Sequence, residues 1–300
     1  MHEFRLTPPP PFNFEATASF LSPGADELVD VFDGKRLTRL LDVNGRMRLV
    51  LVSSLGIEQR PELIVTLMNG TERDEPGVVQ LLSRMLGMSY DLTEFYKLCR
   101  KDQGLYGLSS DYYGLKPAQR MHPFESLTLA IAAPAGTHLF RTSLSRLAEA
   151  ISFRVAYAGD TFYAFPTPRV VAKSSVDAML DGGLTREQAM ALARLADAAM
   201  SGQLDLIGLS RAPSETLVEQ LADQDGVGLA GAQLSALMGY GRLDVFPSAD
   251  PFLRAWIGAN YGHPGPVEPF EAHQWAEQWG NHRGLVACHI YAELMASGRI

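Results

Sequence analysis

Cysteine is almost absent from this chain of 300 residues: Cys99 and Cys288 are the two it has. Two thiols cannot build a secreted disulfide framework, a four-cysteine iron–sulfur cluster or a four-cysteine zinc site, so both read as inert thiols in a reducing compartment. Long apolar runs are missing as well. The longest, such as residues 127–134, fall far short of the roughly 20 residues that cross a bilayer, so no membrane association is expected. The opening residues MHEFRL hold no apolar signal core, and a cytoplasmic location is expected. No tandem repeat and no low-complexity tract occurs beyond the prolines of residues 8–11. Basic charge is in short supply: 26 Lys and Arg against 34 Asp and Glu leave a net charge of −8 and a pI near 5.4. Taken whole, that balance argues against a nucleic-acid partner.

What is present is a globular composition. Hydrophobic residues make up 46% and charged residues 20%, enough to bury sizeable cores, and the length suggests roughly two domains. The charge is uneven. Between residues 112 and 173 stand seven basic side chains, Lys116, Arg120, Arg141, Arg146, Arg154, Arg169 and Lys173, against three acids, Glu125, Glu149 and Asp160. This segment of +4 reads either as ordinary surface charge or as a phosphate-facing stripe.

The first seventy residues read as sheet. Segments 36–43, 47–53 and 62–68 are rich in Leu, Val and Ile, with Asp33-Gly34, Asn44-Gly45 and Asn69-Gly70 between or after them. Asn44-Gly45 between two such runs predicts a tight hairpin. From Pro76 onward the period changes: Val78, Leu81, Leu82, Met85 and Leu86 recur at helical spacing. Further helices are expected over 92–100, 123–133, 139–151, 176–180, 185–200, 214–222, 230–238, 251–257, 269–278 and 284–296. Ser214 is expected to cap one of them, and Thr185-Arg186-Glu187-Gln188 has the pattern of a capping box.

The chemistry concentrates in residues 217–254, LVEQLADQDGVGLAGAQLSALMGYGRLDVFPSADPFLR. A helix ending near Ala222 is followed by a turn with two glycines, Gly226 and Gly228, and a second helix starting near Leu229. Glycines on either side of Val227 let the backbone approach a ligand closely, and the second helix aims its first N–H groups there, an anion seat that needs no lysine. The stretch GRLDVFPSAD then brings Asp250 to the start of the next helix, where a carboxylate serves either as an N-cap or as a functional group.

Hairpin, loop and aspartate together resemble the signature of the HhH-GPD superfamily of DNA glycosylases, and within it the bacterial 3-methyladenine DNA glycosylase II group. The likeness extends along the chain. It takes in Pro11-Phe12-Asn13-Phe14 with Phe20-Leu21, Pro123-Phe124-Glu125 with Leu127-Thr128-Leu129-Ala130-Ile131, and Phe165-Pro166-Thr167-Pro168. It continues through residues 183–199 and the C-terminal WGNHRGLVACHIY. The resemblance implies an α+β fold: a TBP-like antiparallel sheet domain with helices over residues 1–92, then an all-helical core over 93–300 whose two subdomains flank a cleft. It implies a monomer that binds double-stranded DNA, flips out a damaged base and hydrolyses its N-glycosidic bond, in the cytoplasm on the nucleoid.

By the same resemblance Asp250 is the catalytic carboxylate. Gly226, Val227, Gly228, Ala230 and Gly231 hold DNA phosphate, and Tyr291, Ala135 and Phe124 belong to the base pocket. No cofactor is required, and the hairpin carbonyls are a seat for a sodium or potassium ion. Ala230 stands where lyase-active members carry a lysine, and no lysine follows Lys173, so a monofunctional enzyme is expected. The chain departs from the pattern at three places. Ala135, in Pro134-Ala135-Gly136-Thr137, replaces the bulky residue that fills the gap left by a flipped base, leaving His138 or Leu139 to do so. Ala230 and Leu234 replace pocket aromatics. These departures keep open a different lesion, and a DNA-binding module without activity. A metal site from His263, His273, His282 and His289 is not expected, since His282 and His289 stand seven apart rather than four.

Overall fold

The computed structural model describes residues 1–22, 24, 27–133 and 144–300. Five strands, β1 (His2–Leu6), β2 (Val31–Phe32), β3 (Arg36–Val43), β4 (Arg46–Ser54) and β5 (Leu63–Leu67), form one antiparallel sheet in the order β1-β5-β4-β3-β2, with helix α1 (Phe14–Ser19) between the first two. The Asn-Gly hairpin forms where the sequence places it. Val43 pairs with Arg46, and Asn44 and Gly45 take φ of +54° and +78°, the left-handed pair that a two-residue turn between twisted strands requires.

The helical part follows: α2 (Glu75–Met85), α3 (Thr93–Cys99), α4 (Gln103–Asp111), α5 (Pro123–Ala132) and α6 (Ser145–Ile151). After a hairpin, β6 (Arg154–Tyr157) and β7 (Asp160–Tyr163), come α7 (Pro168–Lys173), α8 (Val176–Asp181), α9 (Arg186–Ser201), α10 (Ser214–Ala222) and α11 (Gly228–Tyr240). The chain closes with α12 (Pro251–Asn260), α13 (Pro269–Glu277) and α14 (Arg283–Ala296). Among the described residues no helix is long and apolar enough to cross a membrane.

The expectation of an all-helical second part is corrected by the β6–β7 hairpin. Its Phe162, with Ala164 just beyond, packs on Leu40, Leu49 and Leu51, the face of the sheet turned away from the main core. An apolar second face needs a cover, and two four-residue strands supply it where periodicity over so short a span is silent. Thr185 and Gln188 form the expected capping box. Ser214 does not cap. It is the first helical residue of α10, and its hydroxyl donates instead to Asp244 at 2.7 Å.

Two cores divide the helices. One joins the sheet and α1–α4 to Leu234, Leu237 and Met238 of α11 and to α12–α14; the other lies among α5–α10 and the remaining apolar face of α11. Between the sheet and α5 sits a buried charge cluster. Arg39 of β3 donates to Asp30 and, at 2.6 Å, to Glu125 of α5; Arg120 donates to Asp30 at 3.0 Å and to the Leu21 carbonyl at 2.9 Å. Lys116 is buried too, its ammonium 2.5 Å from the Tyr90 carbonyl and pushed down to about 8 by desolvation. The basic stretch thereby divides. Lys116 and Arg120 serve the interior, while Arg146, Arg154, Arg169 and Lys173 are exposed and Arg141 lies outside the described residues.

Helix α14 buries His289 completely, with its Nδ1 2.9 Å from the Leu285 carbonyl and its ring 4.5 Å from that of Phe95. Burial pushes its pKa down from 6.5 to about 4. Below pH ~6.5 the unfolded chain therefore takes up a proton that the folded chain refuses until about pH 4, and stability falls as pH drops through that window. His289→Gln is expected to remove about 2–3 kcal/mol of the stability loss between pH 7 and 4.5. Urea midpoints at the two pH values measure this; a pH dependence unchanged by the substitution contradicts it.

Candidate functional site

Asp250 occupies the N-cap of α12, with Pro251 at the first helical position, where its fixed φ suits the helix and its missing N–H is no loss. Its Oδ1 accepts from the backbone N–H of Phe252 at 2.8 Å and of Leu253 at 3.3 Å. Its Oδ2 accepts the hydroxyl of Tyr291 of α14 at 2.9 Å. Both oxygens are thus held by donors from two helices, and the residue retains 6% exposure. The capping and functional readings of this aspartate are compatible, because a cap fixes a carboxylate in one orientation.

Tyr291 was expected on the wall of a base pocket. The structure places it behind Asp250, fully buried, with no ring face open to a base. Burial, and then the adjacent Asp250 charge, hold its phenol well above the ordinary range, so it remains a donor to the carboxylate.

Helices α10 and α11 pack side by side, joined through residues 223–227. Gly226 and Gly228 take φ of +79° and +62°, conformations that side chains resist, and between them Val227 is buried in the core of the surrounding helices. The N-cap residue of α11, Val227, provides no side-chain cap, and Gly228, Leu229 and Ala230 are exposed at its start. The first turn of a helix leaves its N–H groups without helical partners, and the aligned peptide dipoles favour an anion there. The turn thus presents backbone N–H groups, not side chains, at its exposed surface. Beside it, exposed, Arg194 of α9 pairs with Asp225.

Gly231, expected among the phosphate contacts, belongs to packing instead. It is buried, and a Cβ built on it would come 2.8 Å from Cβ of Ala130 on α5. Phe124 has a core role. It is fully buried and meets Phe165 edge to face at 6.3 Å, in the core that Asp250 and Tyr291 do not share. Ala135, with the rest of the 134–137 loop and with His138 and Leu139, lies outside the described residues.

One residue that sequence reasoning missed is Gln233. Its side-chain amide donates to Ser248 Oγ at 3.2 Å and accepts the N–H of Ala249 at 3.0 Å, tying α11 to the two residues before Asp250. The available signal was an amide within the otherwise apolar, small-residue run GLAGAQLSALMGY. Among the described residues no group of three His, Cys, Asp or Glu is placed to hold a metal.

No family model matches the chain, and no curated protein is significantly similar to it. Solved structures are. The 3-methyladenine DNA glycosylase of Archaeoglobus fulgidus superposes with a TM-score of 0.86 at 22% identity, covering 99% of this chain and 100% of that one. MBOgg1, in complex with a low-affinity DNA ligand, gives 0.79 at 19% identity over 99% and 96% of the two chains. The 8-oxoguanine glycosylase/lyase of Clostridium acetobutylicum, bound to double-stranded DNA, gives 0.77 at 17% identity over 100% and 99%. The chain has the fold of these DNA glycosylases, an N-terminal antiparallel sheet followed by a mainly helical part.

Proposed function

We propose, taking the shared glycosylase fold as premise, that this protein is a monofunctional DNA glycosylase of base-excision repair, with an alkylated base as its substrate and Asp250 as its catalytic carboxylate. The observation that carries the reading is the Asp250 carboxylate itself, buried and held at the start of α12 by donors that include Phe252 N–H, Leu253 N–H and the Tyr291 hydroxyl.

The reaction follows from that geometry. A base alkylated on a ring nitrogen is cationic in DNA and leaves as a neutral molecule, taking the electron pair of the glycosidic bond. Positive charge then develops on the sugar, and a fixed carboxylate stabilises it without reorganising. Water adds its oxygen to C1′ and releases a proton, leaving the free base and an abasic site. A carboxylate fixed in one orientation by donors to both its oxygens acts mainly through its charge, so its contribution is electrostatic. The exposed N-terminus of α11 grips a phosphate through the N–H groups around Gly228, which lets an acidic protein hold DNA at this one place. We assign a monovalent cation, if one binds, to the carbonyls of the same turn.

Incubation with duplexes carrying 3-methyladenine or hypoxanthine, followed by alkali, tests the reading. Strand breaks are expected after alkali, and their absence across a panel of damaged bases would favour a DNA-binding module without activity. With Ala230 in place of a Schiff-base lysine, borohydride is expected to trap no protein–DNA adduct; a covalent band on a denaturing gel would contradict this part of the assignment.

A further inference from the structure

We infer that Gln233 is a positioning residue that couples the phosphate seat to the carboxylate, an inference that rests on the reading of Asp250 as the catalytic group. Both ends of one planar amide are used, on consecutive residues of the loop, Ser248 and Ala249. The loop is otherwise folded on itself: Ser248 N–H donates to the Phe246 carbonyl at 2.7 Å and Asp250 N–H to the Pro247 carbonyl at 2.9 Å. Among the described residues, the hydrogen bonds that tie 247–249 to another element both run to Gln233.

The geometry gives the tie a direction. Gln233 lies five residues beyond Gly228, roughly 7–8 Å along the α11 axis from the exposed N-terminus. Helix α11 is stiff and is wedged against α5 where Gly231 meets Ala130. A phosphate drawn onto the start of α11 therefore fixes the level of Gln233, and Gln233 fixes Ser248 and Ala249. Asp250 is the next residue. The docking of DNA and the placement of the carboxylate beneath the sugar are one mechanical unit, joined by one side chain.

Three measurements test this. Single-turnover base release from a duplex carrying 3-methyladenine or hypoxanthine reports the chemical step. Fluorescence anisotropy with an abasic-site duplex reports binding, and NMR hydrogen exchange reports the Ala249 amide. Gln233→Met keeps the length and loses the amide; it is expected to slow release about 10- to 100-fold, since misplacement by about 1 Å costs that order. Binding to the abasic duplex is expected to stay within about threefold, because the phosphate seat is backbone. The Ala249 amide is expected to exchange at least about tenfold faster, as its protecting bond is gone. Ser248→Ala removes half of the tie and is expected to fall between native and Gln233→Met.

A native release rate in Gln233→Met overturns the inference, as does an Ala249 amide that exchanges equally fast in both proteins. Asp250→Asn, run in parallel, separates the two failures: if it releases base at the native rate, the role of Asp250 fails. If the native protein releases no base from either duplex, the proposed activity on those lesions fails, and Ala249 exchange still decides whether Gln233 holds the loop.

Discussion

Asp250→Asn is expected to reduce base release at least about 10³-fold while leaving binding to abasic-site duplex within about threefold. The substitution separates two roles that the wild-type side chain combines. As an N-cap, asparagine is as good as aspartate, so the bonds from Phe252 and Leu253 N–H to Oδ1 survive and α12 keeps its start. The Tyr291 hydroxyl, now facing an amide, can reorient and accept from its nitrogen. What is lost is the charge. Two opposite unit charges about 4 Å apart at an effective dielectric near 20 attract by about 4 kcal/mol, which is about three orders of magnitude in rate. A thermal midpoint within a degree or two of native, together with the lost rate, is the expected pair of results. Release at the native rate in a folded Asp250→Asn protein would exclude this residue as the catalytic carboxylate. Asp250→Ala is the less informative change, because it removes the cap as well and takes away the carboxylate to which the buried Tyr291 hydroxyl donates.

The second large effect is on stability. Asp30→Ala is expected to cost about 3–5 kcal/mol, the usual consequence of breaking a buried charge cluster from one side. Asp30 accepts from both Arg39 and Arg120, and all three side chains are almost without solvent contact. Removing it leaves two guanidinium groups with the single carboxylate of Glu125, whose own pKa burial already pushes up against the pull of Arg39. For a chain of this size the loss corresponds to a fall of about 10 °C in Tm. The position of Arg39 explains why the cluster exists. Strand alternation puts it on the same sheet face as Leu37 and Leu41, which are in the core, so a cation there must carry its counter-charges inside with it. Differential scanning calorimetry or urea unfolding measures the effect. A change below about 1 kcal/mol would mean that water reaches the guanidinium groups. Replacing the whole cluster by apolar side chains of similar volume is expected to recover much of the loss.

The elements differ in how far they were legible. Asn44-Gly45 specifies its turn because only residues tolerant of positive φ can occupy both positions, a preference that needs no distant partner. The boundaries of α10 and the capping box at Thr185 follow from the same kind of local rule. Strand β1 was missed. Its five residues gain their meaning by pairing with β5, Phe4 opposite Val65, a partner about sixty residues away. Ser214 had every local mark of a cap, yet Asp244, thirty residues on, takes its hydroxyl.

The candidate site divides along the same line. The sequence by itself determined the Gly226-Val227-Gly228 turn and Asp250 at a helix start, because both are conformational preferences expressed within a few residues. Tertiary structure decided that the Asp250 carboxylate is gripped from behind by Tyr291, that Gly231 is a packing contact rather than a phosphate contact, and that Gln233 ties the hairpin helix to the loop. It also decided that Lys116 and Arg120 are interior groups although they stand in the basic stretch. The physical reason is range: a turn or a cap is settled by the φ, ψ and hydrogen bonds of neighbours. The partner of a buried polar atom is settled by which elements the whole chain folds against it.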